Sequence, residues 1–266
     1  MVDVSTDVVG LREELVAANI SNDGVTTELV VEHAQGGEWV PVGTVFTVFR
    51  QTAVPFVLDT PGRQAIRVRA TQLGDVAYSP IRYVNVIAEL DPDISRVTAD
   101  DLGASWESGC PVGPKKLRAI DLTHLGMDGR LHRGRLIAHR DVVDDLVYVF
   151  ARALTDGFPI RQMVPVSEFD GDDEASMAAD NTSVFNCRRV VGRSSHMSEH
   201  AYGTAIDINP MENPYRVNGR TYPEGAVHAG PGAITEDSVI VRAMRKVGWG
   251  WGRAYSDLHH FSDSGW

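Results

Sequence analysis

Ser198-Glu-His200-Ala-Tyr-Gly203-Thr-Ala-Ile-Asp207-Ile-Asn-Pro210 is the stretch that decides how this chain is read. It places an imidazole and a carboxylate seven residues apart, with Gly203 between them. Thr204 to Asn209 reads as a strand, on which successive side chains alternate faces. Ala205, Asp207 and Asn209 then share a small, polar face. Thr204, Ile206 and Ile208 share the other, which is apolar enough to pack on a core. Gly203 permits a sharp bend that folds His200 back toward Asp207. Two ligand-type side chains do not make a metal site, so a third is needed. Tyr255-Ser-Asp257-Leu-His259-His260-Phe261 contains a candidate.

Working outward, 266 residues are comfortable for two domains and long for one core. The net charge of −11 and the lack of a Lys/Arg-rich run argue against nucleic acid as a partner. No apolar run approaches the roughly 18 residues of a membrane helix. Met1 to Gly10 lacks a signal-peptide pattern. An extracellular role would therefore make this chain a mature form, or a protein released by lysis. Cys110 and Cys187 are either one disulfide or two buried thiols. Neither has a CxxC neighbour, which disfavours a cysteine metal site.

The N-terminal third reads as all-β. Only Leu11 to Asn19 is weakly helical. From Val25 onward, short β-branched runs alternate with turn signals: Val25–Glu32, Trp39–Val42, Thr44–Arg50, Pro55–Leu58, Gln64–Ala70 and Tyr83–Ile87. Such spacing predicts a small sandwich of immunoglobulin or fibronectin type over residues 1–90, acting as an accessory module. His33, alone there, reads as a surface residue. Residues 91–107 are acidic and turn-rich, and read as a linker.

Residues 108–266 form the second expected domain. Arg118–Leu122, Gly134–Ala138, Pro159–Val166 and Ser183–Val190 read as strands. His139 to Asp156 carries apolar residues at helical spacing and is stopped by Gly157. Asp170 to Asp180 reads as a solvated loop with a short helix, and Thr235–Lys246 as a helix capped by Thr235. The order of elements predicts an α+β fold.

A hydrolytic zinc site takes three protein ligands from His, Asp and Glu and leaves a position for water, whose proton a nearby carboxylate accepts. No His-Glu-x-x-His helix is present. Ser198-x-His-x-x-Gly-x-Ala-x-Asp207 together with Asp257-x-x-His-Phe261 instead resembles the LAS zinc metallopeptidases of bacterial cell walls. These include D-alanyl-D-alanine carboxypeptidases and the L-alanyl-D-glutamate endopeptidases of phage lysins. Gly109-Cys-Pro-Val, Phe158-Pro-Ile, Asn181 to Arg188, Asn213-Pro-Tyr215 and Gly248-Trp-Gly-Trp-Gly252 extend the resemblance over about 105–266.

The resemblance implies one zinc per chain on His200, Asp207 and His260. Asp257 would be the general base and then the proton donor to the leaving amine. Arg188 would hold the developing oxyanion, with Ser198 and Tyr202 flanking the substrate. The implied substrate is the stem peptide of peptidoglycan, cut by a monomer at the cell wall or as a released lysin. Whether a terminal or an internal bond is cut depends on loops such as 211–232. Two departures stand out. His259 adjoins His260, and strand alternation points it away from the site; Arg253 follows Trp251-Gly252, where a small residue is expected. Taken singly, each site residue has a structural reading, and Arg188 would then pair with the acidic loop at 170–174. The rival for the whole is a non-catalytic wall-binding or sensor protein that keeps the fold.

Overall fold

Apolar residues at every second position build the N-terminal unit. The computed structural model describes residues 2–3, 7–9, 13–19, 24–49, 51–190 and 193–265. It divides into two units, Met1–Glu89 with Gly129–Leu131, and Leu90–Asp128 with His132–Trp266. The strands of the first are β1 (Val2–Asp3), β2 (Asp7–Val9), β3 (Glu13–Asn19), β4 (Thr27–Gln35), β5 (Glu38–Thr47), β6 (Gln51–Val57), β7 (Gly62–Gln72), β8 (Asp75–Tyr78) and β9 (Arg82–Ile87). One sheet has the order β1-β3-β6, and the other β2-β9-β7-β4-β5 with β8 added to β7. Leu29 and Val31 of β4, Ile66 and Val68 of β7, and Val84 and Val86 of β9 form one apolar cluster with Val54 and Phe56 of β6. Each sheet thus gives one face to a shared core.

Three local expectations fail here. Glu13–Asn19 is a strand paired antiparallel with β6, not a helix; Leu11 and Arg12 lie outside the described residues. A patch this short cannot sustain a helix alone, and the ladder takes its backbone groups. Trp39–Val42 and Thr44–Arg50 are joined in β5, up to Thr47. Gly43 does not break the strand but lets β6 approach, since a Cβ there would lie 2.1 Å from the Pro55 carbonyl oxygen. His33 is buried rather than on the surface, with Nε2 2.8 Å from Gln64 Oε1.

The second unit mixes helix and strand. Its elements are β10 (Asp93–Arg96), α1 (Ala99–Leu102), β11 (Leu117–Leu125), β12 (Leu131–His139), α2 (Val143–Thr155), α3 (Asp173–Ala178), β13 (Arg189–Val190), β14 (Arg193–Met197), β15 (Ala205–Asp207), β16 (Tyr215–Val217), β17 (Arg220–Tyr222), α4 (Val239–Lys246), β18 (Gly250–Trp251) and β19 (His260–Ser262). Two three-stranded sheets, β10-β11-β12 and β15-β19-β18, accompany the pairs β13-β14 and β16-β17. The stripe Val143, Leu146, Val149, Phe150 and Ala153 of α2 packs with Ile240, Ala243 and Met244 of α4 and with Ile206, Ile208 and Phe261 in the main core. No helix among the described residues is long and apolar enough to cross a membrane.

The stretch read as a linker, 91–107, holds β10, paired antiparallel with β11, and α1. Every side chain of β10 is exposed, so its composition reads as loop while its backbone completes a sheet. Pro159–Val166 and Ser183–Val190 are mostly not ladder strands; only bridges such as Gln162 with Asn181 and Ser183 with Asp207 form, besides β13. Side chains satisfy part of their backbone instead. The Asn181 amide bonds Val164 N–H and carbonyl at 3.0 Å each, and Asn209 Oδ1 accepts from Arg161 N–H. The last helix starts at Val239, with Ser238 rather than Thr235 at its cap position.

Cys110 and Cys187 are joined in a disulfide, 77 residues apart in sequence. The bridge ties the opening segment of this unit to the residue before Arg188. Replacing both cysteines by serine is expected to lower unfolding stability by about 2–4 kcal/mol, the usual effect of removing such a cross-link. Urea denaturation of the two forms measures it, and an unchanged midpoint would contradict it.

Candidate metal centre

The centre is built on one strand pair. β15 and β19 run antiparallel with Asp207 opposite His260, so the two side chains emerge together on one face. His260 Nδ1 lies 3.0 Å from Asp207 Oδ1. His200 arrives from the short 3-10 turn Glu199–Tyr202, which Ser198 caps by accepting the His200 N–H at 3.3 Å. Gly203 ends that turn at φ 72°, and a Cβ there would lie 2.8 Å from His139 N. Both the left-handed backbone and the close approach therefore require glycine.

The donor set fits a metal ion. His200 Nδ1 donates to the Val184 carbonyl at 2.6 Å. That bond leaves the Nε2 lone pair facing Asp207 Oδ2 at 3.3 Å and His260 Nδ1 at 3.2 Å. One ligand atom from each of His200, Asp207 and His260 lies within 4.8 Å of the others. Ligands bound at about 2.0–2.2 Å in a tetrahedron stand roughly 3.3–3.6 Å apart, close to these separations. Burial alone would raise the pKa of Asp207, but the His200 and His259 imidazoles hold it well below the usual carboxylate range. It stays an anion, as a ligand must.

Asp257 sits beside this set. Its N–H donates to the Gly252 carbonyl at 3.1 Å. A Cβ on Gly252 would lie 3.1 Å from Asp257 Cβ and 3.2 Å from His260 Cβ, so glycine there clears the space both occupy. Burial pushes the Asp257 carboxyl up, Asp207 adds to the shift, and the neighbouring histidines, His259 foremost, oppose it.

His259 does not point away. It precedes the three-residue β19, so strand alternation does not govern it. Its buried ring donates through Nδ1 to the Asn213 carbonyl at 2.8 Å. Nε2 lies 3.0 Å from Asp257 Oδ1 and 3.9 Å from Asp207 Oδ1. The contact with Asp257 is close but poorly aligned, leaving Oδ1 buried without a hydrogen bond of good angle.

The remaining expected residues are placed more loosely. Arg188 Nε is 2.8 Å from Asp173 Oδ1 at the start of α3, so it does pair with the acidic loop. Its backbone carbonyl accepts the Ser198 N–H at 3.0 Å, next to the His200 turn. Ser198 is buried and engaged in capping, whereas Tyr202 is exposed. Trp249 is a core wedge whose indole donates to Asp145, and Trp251 stacks on Phe261 at 5.8 Å. Arg253 pairs with Glu236 and lies over the Trp251 ring. Three supports escaped the sequence reading: the Val184 carbonyl, Asn213 and Gly252. All three lie inside motifs already quoted, but a backbone carbonyl such as that of Val184 carries no side-chain signal of its own.

Residues 192–263 match the family model described as D-alanyl-D-alanine carboxypeptidase. That match supports, for this segment, the resemblance to the LAS-type peptidases. The matched residues hold the whole His200, Asp207 and His260 set with Asp257, and the family supports a peptidase. No curated protein matches the chain.

A second pair of carboxylates joins the matched segment to the residues before it, with Asp180 buried and Glu212 half-buried. Arg161 bridges Asp180 at 3.1 Å and Glu212 at 3.2 Å. Burial, then Asp180, raise Glu212 from its ordinary 4.5 to about 7 against the pull of Arg161. A carboxyl whose pKa rises on folding stabilises the fold at low pH, and that contribution is lost as pH climbs through the folded value. Stability is therefore expected to fall between pH 4.5 and about 7, and Glu212→Gln to flatten that slope. Chemical denaturation across pH tests it; identical slopes would exclude the effect.

Metal content gives a separate test. His200→Ala, Asp207→Ala and His260→Ala are each expected to lose stoichiometric zinc, measured by atomic emission on the purified protein. His259→Ala is expected to keep it, because its nitrogens serve Asn213 and Asp257. Zinc lost from His259→Ala but kept by His260→Ala would reverse the ligand assignment.

Proposed function

We propose that the chain is a zinc-dependent peptidase that hydrolyses a peptide bond in the stem peptide of peptidoglycan. The observation carrying this reading is the convergence of three ligand-type side chains, His200 and Asp207 buried and His260 half-buried, with a carboxylate, Asp257, held beside them and not among them. The bond is either the terminal D-alanyl-D-alanine bond or the internal L-alanyl-D-glutamate bond. The chain is read as a monomer acting outside the cell or released on lysis. Its N-terminal unit, read as a sandwich of immunoglobulin or fibronectin type, is an accessory module that brings the peptidase to the wall.

His200, Asp207 and His260 would hold one zinc ion. What the ion supplies when bound is Lewis acidity, which brings water near a neutral pKa and polarises a carbonyl. The protein does the rest. Val184 orients His200 through its Nδ1, and strand register orients Asp207 against His260. Asp257 takes a proton from the attacking water and passes it to the leaving amine. Burial raises its pKa, which makes the carboxylate a better proton acceptor than an exposed one. Arg188, fixed by Asp173, offers a permanent planar charge to the oxygen that becomes negative. Tyr202, exposed at the end of the His200 turn, and Ser198 flank the peptide.

Two measurements test this reading. Purified peptidoglycan incubated with the protein, with and without a chelator, is expected to release peptide fragments by mass spectrometry only when zinc is present. No cleavage by zinc-loaded protein would favour a wall-binding or sensor role. Asp257→Asn is expected to keep zinc while kcat falls by roughly 10²–10⁴, the usual contribution of general acid–base catalysis. Normal turnover in that variant would move the base elsewhere, first to Glu199.

A further inference from the structure

A general base acts only when its oxygen is held in line with the proton it takes, and a misplacement of about 1 Å can cost roughly 10²-fold in rate. The backbone of Asp257 is held: its N–H donates to the Gly252 carbonyl at 3.1 Å, and Tyr215 bridges it from β16. Backbone bonds leave the side-chain torsions free, and the last of these, at a carboxylate, is soft. Oδ1 of Asp257 is buried without a hydrogen bond of good angle. The polar atom placed to hold it is Nε2 of His259, 3.0 Å away.

His259 is itself fixed by groups outside the centre. Its ring is buried, and Nδ1 donates to the Asn213 carbonyl at 2.8 Å. Its own carbonyl accepts the Ile208 N–H at 3.0 Å, one residue beyond Asp207. Asn213 in turn is fully buried, and its side-chain amide reaches the carbonyls of Ile208, Asn209 and Gly232 at 2.9 to 3.1 Å. The ring is therefore anchored from its far side, which confines Nε2 to one place. A histidine that only packs would be satisfied through Nδ1. Here Nε2 also faces a carboxylate oxygen, and Asp257 Oδ1 at 3.0 Å is nearer than Asp207 Oδ1 at 3.9 Å.

We infer that His259 is a positioning residue for Asp257. Anchored through Nδ1, it pins Oδ1 through Nε2 and leaves the second carboxylate oxygen to exchange protons with the water and the leaving amine. The contact needs one proton between Nε2 and Oδ1, and the positioning is the same whichever atom carries it. Rotation about the soft carboxylate torsion straightens the contact, in the way catalytic hydrogen bonds tighten once substrate is bound. This role, which rests on the peptidase reading above, separates two substitutions. His259→Asn keeps an amide nitrogen near the place of Nδ1, and so the bond to Asn213, but does not reach Asp257. His259→Gln puts an amide nitrogen near the place of Nε2, and so reaches Asp257, but gives up Asn213.

The test uses the zinc-loaded full chain and a synthetic stem peptide, with kcat counted per bound zinc. His259→Asn is expected to lower kcat about 10- to 100-fold and leave KM unchanged, the signature of a misplaced base. His259→Gln is expected to recover most of that loss, although thermal unfolding shows it to be the less stable of the two. A histidine that only packs predicts the opposite order of kcat, because the bond to Asn213 is the one a core residue needs. That order, or equal kcat in the two variants, overturns the role. A second measurement needs no turnover. In the nitrogen NMR spectrum of the imidazoles, the His259 signals are identified by their loss in His259→Gln. Asp257→Asn is expected to shift the His259 Nε2 signal and leave Nδ1 in place. An unmoved Nε2 signal overturns the contact. A shifted Nε2 signal in a chain that cuts no stem peptide overturns the peptidase reading instead.

Discussion

The antiparallel pairing of two three-residue strands is the constraint on which the centre depends. Asp207 and His260 are 53 residues apart in sequence, yet the register sets them opposite one another. A slip of one residue would turn one of them to the other face and bring Phe261 or Ile206 into its place. That slip is blocked from both sides. Ile206 and Phe261 are fully buried in the main core, and Trp251 stacks on Phe261 from β18. The apolar face of the pair therefore fixes the polar one, and a loss of packing there would be felt as a loss of metal geometry.

Much of this was legible in the residues, because spacing and chemistry pointed the same way. His200, Gly203 and Asp207 share a turn-and-strand pattern whose geometry follows from glycine and from alternation. The Asp257 and His260 spacing could be read in the same way. His259 could not, since alternation applies only inside a ladder and the ladder begins one residue later. The strands expected at 159–166 and 183–190 failed for a related reason. Apolar runs of that length look alike whether a neighbouring strand or a side-chain amide satisfies their backbone. The linker reading failed because an edge strand with every side chain exposed carries no hydrophobic signal.

Local propensity also yielded to pairing in the first unit, where a weakly helical patch became β3. The two errors run in opposite directions, one inventing a helix and one missing a strand. Both arise where the backbone partner lies far away in sequence. Such partners are invisible to any window of ten residues.

Asn213 has a consequence for how such a site can diversify. Its fully buried side chain donates to the Gly232 carbonyl at 2.9 Å and accepts from Ile234 N–H at 2.6 Å, while its own carbonyl receives His259. One residue therefore fastens both feet of the intervening loop and holds the imidazole next to Asp257. The closure cost of a loop grows only slowly with its length. Beyond Tyr215 and Arg216, which pair with Asp257 and Ser256, the arc between those feet can thus lengthen, shorten or change its charges without pulling on that clasp.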